Sequence, residues 1–396
     1  MSSVELTKLD PSDESAWTRL RHEFRVRPDT VYLNHGSFGI ALNCVRHRRD
    51  QLLRELESQP MDFYFRKYEP LLKQARQSLA MFVGTRAHNL GLVDNSTWAM
   101  NFVANSVSLN EDDEVLLTDQ EYGAVKRIWA KKSRETGCKL VEVSLPEKIE
   151  SKKQIVDLIL SQVTDKTKLV VFSHILSPTA IILPVKQICT ALRERGVLSC
   201  VDGPHALLQL DVKLNHIGCD FYCASLHKWL CGPLGTGFIF VRPELRDSVN
   251  SPITSWGRLD REDNATWEEE LMWLGTRNQT GAFAVGEAIN FFDELGIENA
   301  RARMNYLAGH AEEQLTELFG TTTIASREQG FYGSMAHVQL PEKGQWSQLQ
   351  HELWVQEGIE VPVQQLNGKW WIRVSCHLYN SIEELELLKR ELELRL

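Results

Sequence analysis

The chain has 396 residues, of which 43% are hydrophobic and 24% charged, with a formal net charge of −9. This make-up predicts a soluble globular protein with one large and one smaller domain, and its acidity argues against nucleic acid or an anionic membrane surface as partner. No apolar stretch approaches the ~20 residues of a membrane span, and Met1 to Asp10 lacks the apolar run of a signal peptide. The eight cysteines are scattered and lack paired metal-ligand spacing, so a reduced cytoplasmic protein without a metal site is expected.

In chain order, residues 42–58 and 67–83 read as helices, the first ended by Pro60 and the second by Gly84. Apolar runs follow at 90–93, 114–118, 140–143, 168–172, 197–201, 221–224 and 237–241. Helical stretches near 97–108, 123–135, 151–163 and 185–195 separate several of them. This alternation predicts an α/β fold, with a mostly parallel seven-stranded sheet sandwiched by helices. Ligands of such sheets bind at the carboxyl ends of strands, where Asn95, Asp202 and Lys228 fall. Beyond lie a helical region at 281–320 and strands at 335–339, 359–363 and 370–375. A final helix starts at about 382, opened by a capping box, Ser381-Ile-Glu-Glu384. The expected division is an N-terminal arm (1–40) packing with the small domain, a large domain (41–265) and a small α+β C-terminal domain (266–396).

Lys228 stands in Ser225-Leu-His-Lys228, directly after an apolar strand. Desolvating an ammonium is costly, so a lysine taken into a site has its pKa lowered, and a neutral amine forms Schiff bases. The run Cys200-Val-Asp-Gly-Pro-His205 places an aspartate at the end of the preceding strand. Together these runs resemble the class V aminotransferase group of fold-type I pyridoxal phosphate (PLP) enzymes. Tyr32-Leu-Asn-His-Gly-Ser-Phe38 and Gln59-Pro-Met-Asp-Phe-Tyr-Phe-Arg66 look most like its isopenicillin N epimerase-like branch. The likeness runs from about Tyr32 to the C-terminus.

The resemblance implies PLP as cofactor, held as a Schiff base by Lys228, with Asp202 paired to the ring nitrogen so that the ring becomes an electron sink. It implies phosphate contacts from Ser96 and Thr97, whose helix start also suits an anion, and from Ser225 and His227. Tyr122 would stack on the ring and His205 would stand near its phenolic oxygen. Gly275-Thr276 resembles the segment that reaches the phosphate of a neighbouring subunit, which implies a homodimer with shared active sites. Arg373 matches the arginine that forks onto a substrate α-carboxylate, with Asn34 and Gly36 lining the same end. Arg277, Ser177 and Phe63-Tyr-Phe65 are looser candidates. The implied substrate is an amino acid or an amino-acid-ended molecule. Carbanion formation at its α-carbon leads to epimerisation, transamination or β-elimination. A C–S lyase of sulfur amino acids is the alternative. A persulfide-forming desulfurase is disfavoured, because the stretch 328–373 has no cysteine. A non-catalytic descendant acting as a binding protein is the remote reading.

Overall fold

The structure is a computed structural model that describes residues 8–255 and 266–396. The expected domain boundary at 265 lies outside the described residues. Twelve strands are present among them. They are β1 (Val31–Tyr32), β2 (Leu90–Val93), β3 (Glu114–Thr118), β4 (Lys139–Val143), β5 (Thr167–Ser173) and β6 (Leu198–Asp202). The others are β7 (Phe221–Ser225), β8 (Gly237–Val241), β9 (Met335–Gln339), β10 (Ile359–Glu360), β11 (Val363–Leu366) and β12 (Lys369–Ser375). Strands β2 to β8 form one seven-stranded sheet in the order β2-β8-β7-β6-β5-β3-β4. Pairings among β3 to β7 are parallel, while β8 runs antiparallel to both of its neighbours.

Side chains alternate between the two sheet faces, and both faces are covered. Val115, Leu117, Leu169, Val171, Cys200 and Cys223 pack on one side with Met100, Val103 and Trp129 of the helices Ser96–Ser106 and Gly123–Thr136. Leu116, Val170, Phe172, Val201 and Tyr222 pack on the other side with Ile155, Ile159, Ile188 and Leu192. That double burial is why these strands read as continuous apolar runs.

The C-terminal part carries an antiparallel sheet of order β11-β12-β9, whose core includes Val338, Ile372, Val374, Leu385 and Leu388. Val31 and Tyr32 pair in parallel with Ile359 and Glu360.

The structure revises several expected elements. Residues 281–320 form three helices, Thr280–Phe283, Val285–Leu295 and Ile297–Phe319, interrupted at Gly296, whose φ of +83° leaves the helical region. The expected strand at 359–363 divides between two sheets around Pro362, which has no N–H to give and instead accepts from the Arg373 N–H at 3.0 Å. Ser381 caps its helix through the Glu384 N–H at 3.3 Å, but the capping box is only half made. The Glu384 carboxylate turns to Arg21 at 2.7 Å and Asn380 at 2.8 Å. A complete capping box stands instead at Thr266 and Glu269, opening the helix Trp267–Met272.

Candidate active site

The parallel strands end at one edge of the large sheet, and the segments that leave them meet around a cavity of about 420 Å³. Asn95 follows β2 and caps the next helix, its side chain accepting from the Trp98 N–H at 2.9 Å. Ser96 and Thr97 line the cavity from that helix start, and Tyr122 lines it from the turn after β3. Asp202 ends β6, His205 follows it, and Ser225, His227 and Lys228 close the wall from β7. Gly36 reaches the same cavity from the N-terminal segment. The packing there is close: an added Cβ would stand 2.9 Å from Ser375 Oγ and 3.4 Å from His205 Cε1, so those side chains would have to give way.

Two predicted residues lie elsewhere. Asn34 lines a neighbouring groove and donates to Glu360 at 3.2 Å. Thr276 is exposed and does not line the cavity of its own chain. Of the looser candidates, Ser177 borders the cavity. Phe63, Tyr64 and Phe65 do not; Tyr64 donates instead to the Arg277 carbonyl at 3.0 Å. Arg277 pairs with Asp94.

Asp202 is buried, and Lys228 is half-buried at the cavity wall. Burial, and then the Arg373 guanidinium, push the Lys228 amine below the usual lysine range, with Asp202 opposing. Burial raises the Asp202 carboxyl, held back by the Ser96 hydroxyl, which donates to it in a short hydrogen bond, and by Lys228. The protonation of the lysine can also be read from geometry. The Trp229 indole N–H, which can only donate, points at His205 Nδ1 at 3.3 Å. Nδ1 therefore accepts, and the neutral imidazole carries its proton on Nε2. Nε2 lies 3.2 Å from Lys228 Nζ, so that N–H donates to a nitrogen lone pair. Only the neutral amine has one. Burial, Lys228 and Arg373 keep the imidazole itself far below its ordinary pKa.

Beneath the lysine, a second set of rings grips its main chain. His35 Nε2 donates to the Lys228 carbonyl at 3.1 Å and His377 Nε2 to the Trp229 carbonyl at 3.2 Å. The Tyr379 hydroxyl fills His35 Nδ1 at 3.0 Å, and the two imidazoles stack with centroids 4.0 Å apart. With Cys231 they are the one His, Cys, Asp or Glu trio, among the described residues, whose ligand atoms lie within 4.8 Å of one another. Both Nε2 atoms direct a proton at a carbonyl, so the trio acts as a hydrogen-bonded clamp.

Arg373 lies fully buried at the border of the cavity. Its guanidinium donates to the Ser177 carbonyl in a short bond and to Ser37 Oγ at 3.1 Å. Its Nε has no partner, no carboxylate among the described residues pairs with it, and burial lowers its pKa to about 10. A buried, unpaired guanidinium is expensive, and a carboxylate ligand would remove that cost.

Sequence reasoning missed Trp229, Ser37 as a partner of Arg373, and Glu121. Glu121 is buried beside the cavity, where burial raises its pKa to about 7. The hydroxyls of Thr118 and Ser173 each donate to it at 2.6 Å. Its place directly before Tyr122 was the only signal in the sequence.

A family model described as aminotransferase class-V matches residues 61–388. An isopenicillin N epimerase of Streptomyces clavuligerus is 33% identical over 388 residues, covering 95% of this chain and 98% of that protein. A putative L-cysteine desulfhydrase of Oryza sativa subsp. japonica is 30% identical, covering 78% of this chain and 67% of its own length. Among solved structures, the cysteine desulfurase CsdA of Escherichia coli superimposes with a TM-score of 0.81 at 20% identity, covering 98% of this chain and all of that one. Sequence match, sheet order and the placement of the lysine at the strand ends agree: this chain belongs to the class V aminotransferase family.

Proposed function

We propose that the chain is a PLP-dependent enzyme acting at the α-carbon of an amino acid or amino-acid-ended substrate, and that the reaction is an epimerisation of the isopenicillin N epimerase type. The observation that carries the chemistry is the Trp229–His205–Lys228 chain of hydrogen bonds, which is satisfied only by a neutral lysine amine. The 33% identity to isopenicillin N epimerase over nearly the whole chain supports the reaction type.

The residues present fit the cofactor. The cavity volume of about 420 Å³ falls among ordinary small-ligand sites, which run ~300–1,000 Å³. His227 Nδ1 is buried and has no partner, next to the hydroxyls of Ser225 and Thr97 at a helix N-terminus, a donor set suited to a phosphate. Thr97, Ser225 and His227 would hold the phosphate, and Ser96 would support them through its N–H bond to Ser225 while its hydroxyl serves Asp202. Tyr122 and His205 would flank the ring, and Asp202 would face its nitrogen. When bound, PLP supplies an aldehyde carbon for the amine and a ring that takes up the electron pair left at the α-carbon.

The protein's own groups do the rest. Lys228 as a free amine accepts the α-proton from its own face, and inversion needs a proton delivered to the opposite face by a second acid. Asp202, its orientation fixed by the Ser96 hydroxyl, would face the ring nitrogen as the anionic partner. Arg373, preset by Ser37 and Ser177, holds the α-carboxylate. Thr276 would act in the site of a second copy, making the enzyme a homodimer. The division at 40 and 265 and a cytoplasmic location complete the proposal. The eight free cysteines, seven of them buried, support a reducing compartment. β-Elimination from a sulfur amino acid is the second reading, favoured by the similarity to a putative L-cysteine desulfhydrase.

Borohydride reduction of the PLP-loaded protein, followed by peptide mapping, should label Lys228, and Lys228→Ala should lose the label while staying folded. Label on another lysine overturns the assignment. Incubation with amino acids in deuterated water should then exchange the α-hydrogen and invert the centre. Pyruvate and sulfide from cysteine, without inversion of any amino acid, would select the lyase.

A further inference from the structure

Beside the PLP cavity lies a second one, of about 310 Å³, on the far side of Leu234 and Gly39. Leu234 borders both cavities and is 69% exposed. The segment Ser37-Phe38-Gly39 runs from the Arg373 contact to the second cavity.

The second cavity is cationic. Arg46, Arg49 and Arg277 line it against the single carboxylate of Asp94. Arg277 is paired with Asp94, and Arg49 with Asp50 at 2.7 Å. Arg46 has neither an ion pair nor a side-chain hydrogen bond among the described residues. It is half-buried, and burial first, then the like charges of Arg25 and Arg49, lower its pKa. Arg277 Nε is also buried without a partner. A guanidinium crowded by others of its sign, with only the Arg49-paired Asp50 opposing them, gains from an anion placed beside it.

We infer that this cavity receives a second anionic group, a carboxylate or a phosphate, at the far end of the substrate's side chain, with Arg46 as its main contact. The inference rests on the amino-acid reading above. The amine would sit at Lys228 and the α-carboxylate at Arg373, and the side chain would cross the rim at Leu234. An acidic or acid-ended amino acid is then the preferred substrate class, and a small neutral one such as alanine is not.

The test is a spectral titration of the PLP-loaded protein with near-isosteric pairs, L-glutamate against L-glutamine and L-2-aminoadipate against its side-chain amide. O-phospho-L-serine against L-serine separates phosphate from carboxylate. The anionic member of at least one pair should bind tenfold or more tightly. Arg46→Gln should bring that ratio within about twofold and leave L-alanine binding unchanged. Equal binding within every pair, or a preference that survives Arg46→Gln, overturns the inference while leaving the PLP reading intact. If no amino acid changes the spectrum, the PLP reading fails, and calorimetry of glutarate with the cofactor-free protein still decides the cavity. Binding that is lost in Arg46→Gln supports the site. No binding, as when a second copy of the chain fills the cavity, overturns it.

Discussion

An indole nitrogen never accepts a hydrogen bond, and at this site that one-way property propagates through an imidazole to the lysine. Trp229→Phe removes the donor and keeps most of the ring. His205 could then carry its proton on Nδ1 and offer Nε2 to an ammonium, so the charged form of Lys228 gains a partner. The lysine pKa should therefore rise, and the free amine should appear at higher pH. Visible absorbance during loading of the cofactor-free protein with PLP, followed against pH, should show a midpoint about one unit more alkaline, or ~1.4 kcal/mol. An unchanged midpoint would remove Trp229 from the mechanism. At the other end of the cavity, Arg373 is held by Ser37 and Ser177, with no acid paired to it among the described residues. Arg373→Ala should weaken amino acid binding by ~2–5 kcal/mol, the range for truncating one partner of a buried charge pair. Arg373→Lys should not rescue it, because a point charge lacks the fork. PLP affinity should stay near wild type, and the matching amine without a carboxylate should bind both proteins alike. Loss of both ligands together would mean that Arg373 only supports the fold.

At the scale of elements, the N-terminal segment acts as a brace for the lysine turn. Gly39 donates its N–H to the His227 carbonyl at 2.9 Å, and His35 holds the Lys228 carbonyl from below. A Cβ on Gly39 would stand 2.3 Å from the Lys228 carbonyl oxygen and 2.8 Å from that of His227, both main-chain atoms without freedom to rotate away. Gly39→Ala should therefore shift the turn that carries the lysine. The expected result is a stability loss of ~1–3 kcal/mol, as for overpacking, together with at least a tenfold fall in PLP affinity. Thermal unfolding and equilibrium PLP binding measure the two separately, and wild-type PLP affinity would show that the brace is dispensable. These contacts also mark what the chain could reveal before folding. The inner strands of the large sheet were legible because they are buried on both faces and so largely apolar, whereas the edge strand β4 is only partly buried and mixes charged with apolar residues. Lys228, Asp202 and His205 were legible because the turn chemistry packs them into short runs. The His35–Lys228 and Trp229–His205 contacts join residues 193 and 24 positions apart, and no local pattern encodes such pairings. The division of 359–363 between two sheets was hidden for a related reason: pairing partners, not propensity, decide which sheet a short strand joins.

On the scale of the whole molecule, the predicted phosphate contact of Thr276 has no place in the single chain. Thr276 follows Gly275, whose φ of +100° favours glycine, and its side chain is exposed away from the cavity that holds Lys228. The cavity's rim in turn exposes apolar side chains, Phe38 at 64% and Leu234 at 69%. Both observations fit a second copy that covers the rim and lends Thr276 to the neighbouring phosphate. In a two-fold dimer each cavity would then draw Lys228 from one chain and Thr276 from the other. A Lys228→Ala chain and a Thr276→Trp chain should each be inactive alone. Mixed and allowed to exchange, they should form hybrids in which one of the two cavities is damaged twice and the other is intact. At random exchange of equal amounts about half of the dimers are hybrids, so activity should return to about a quarter of the wild-type value per site. The same mixture should show borohydride-trapped PLP only on the chain that keeps Lys228. Sedimentation of the wild-type protein gives the independent control. A fully active monomer, or a mixture that stays inactive although the chains exchange, would place Thr276 outside the site and leave each cavity complete in its own chain.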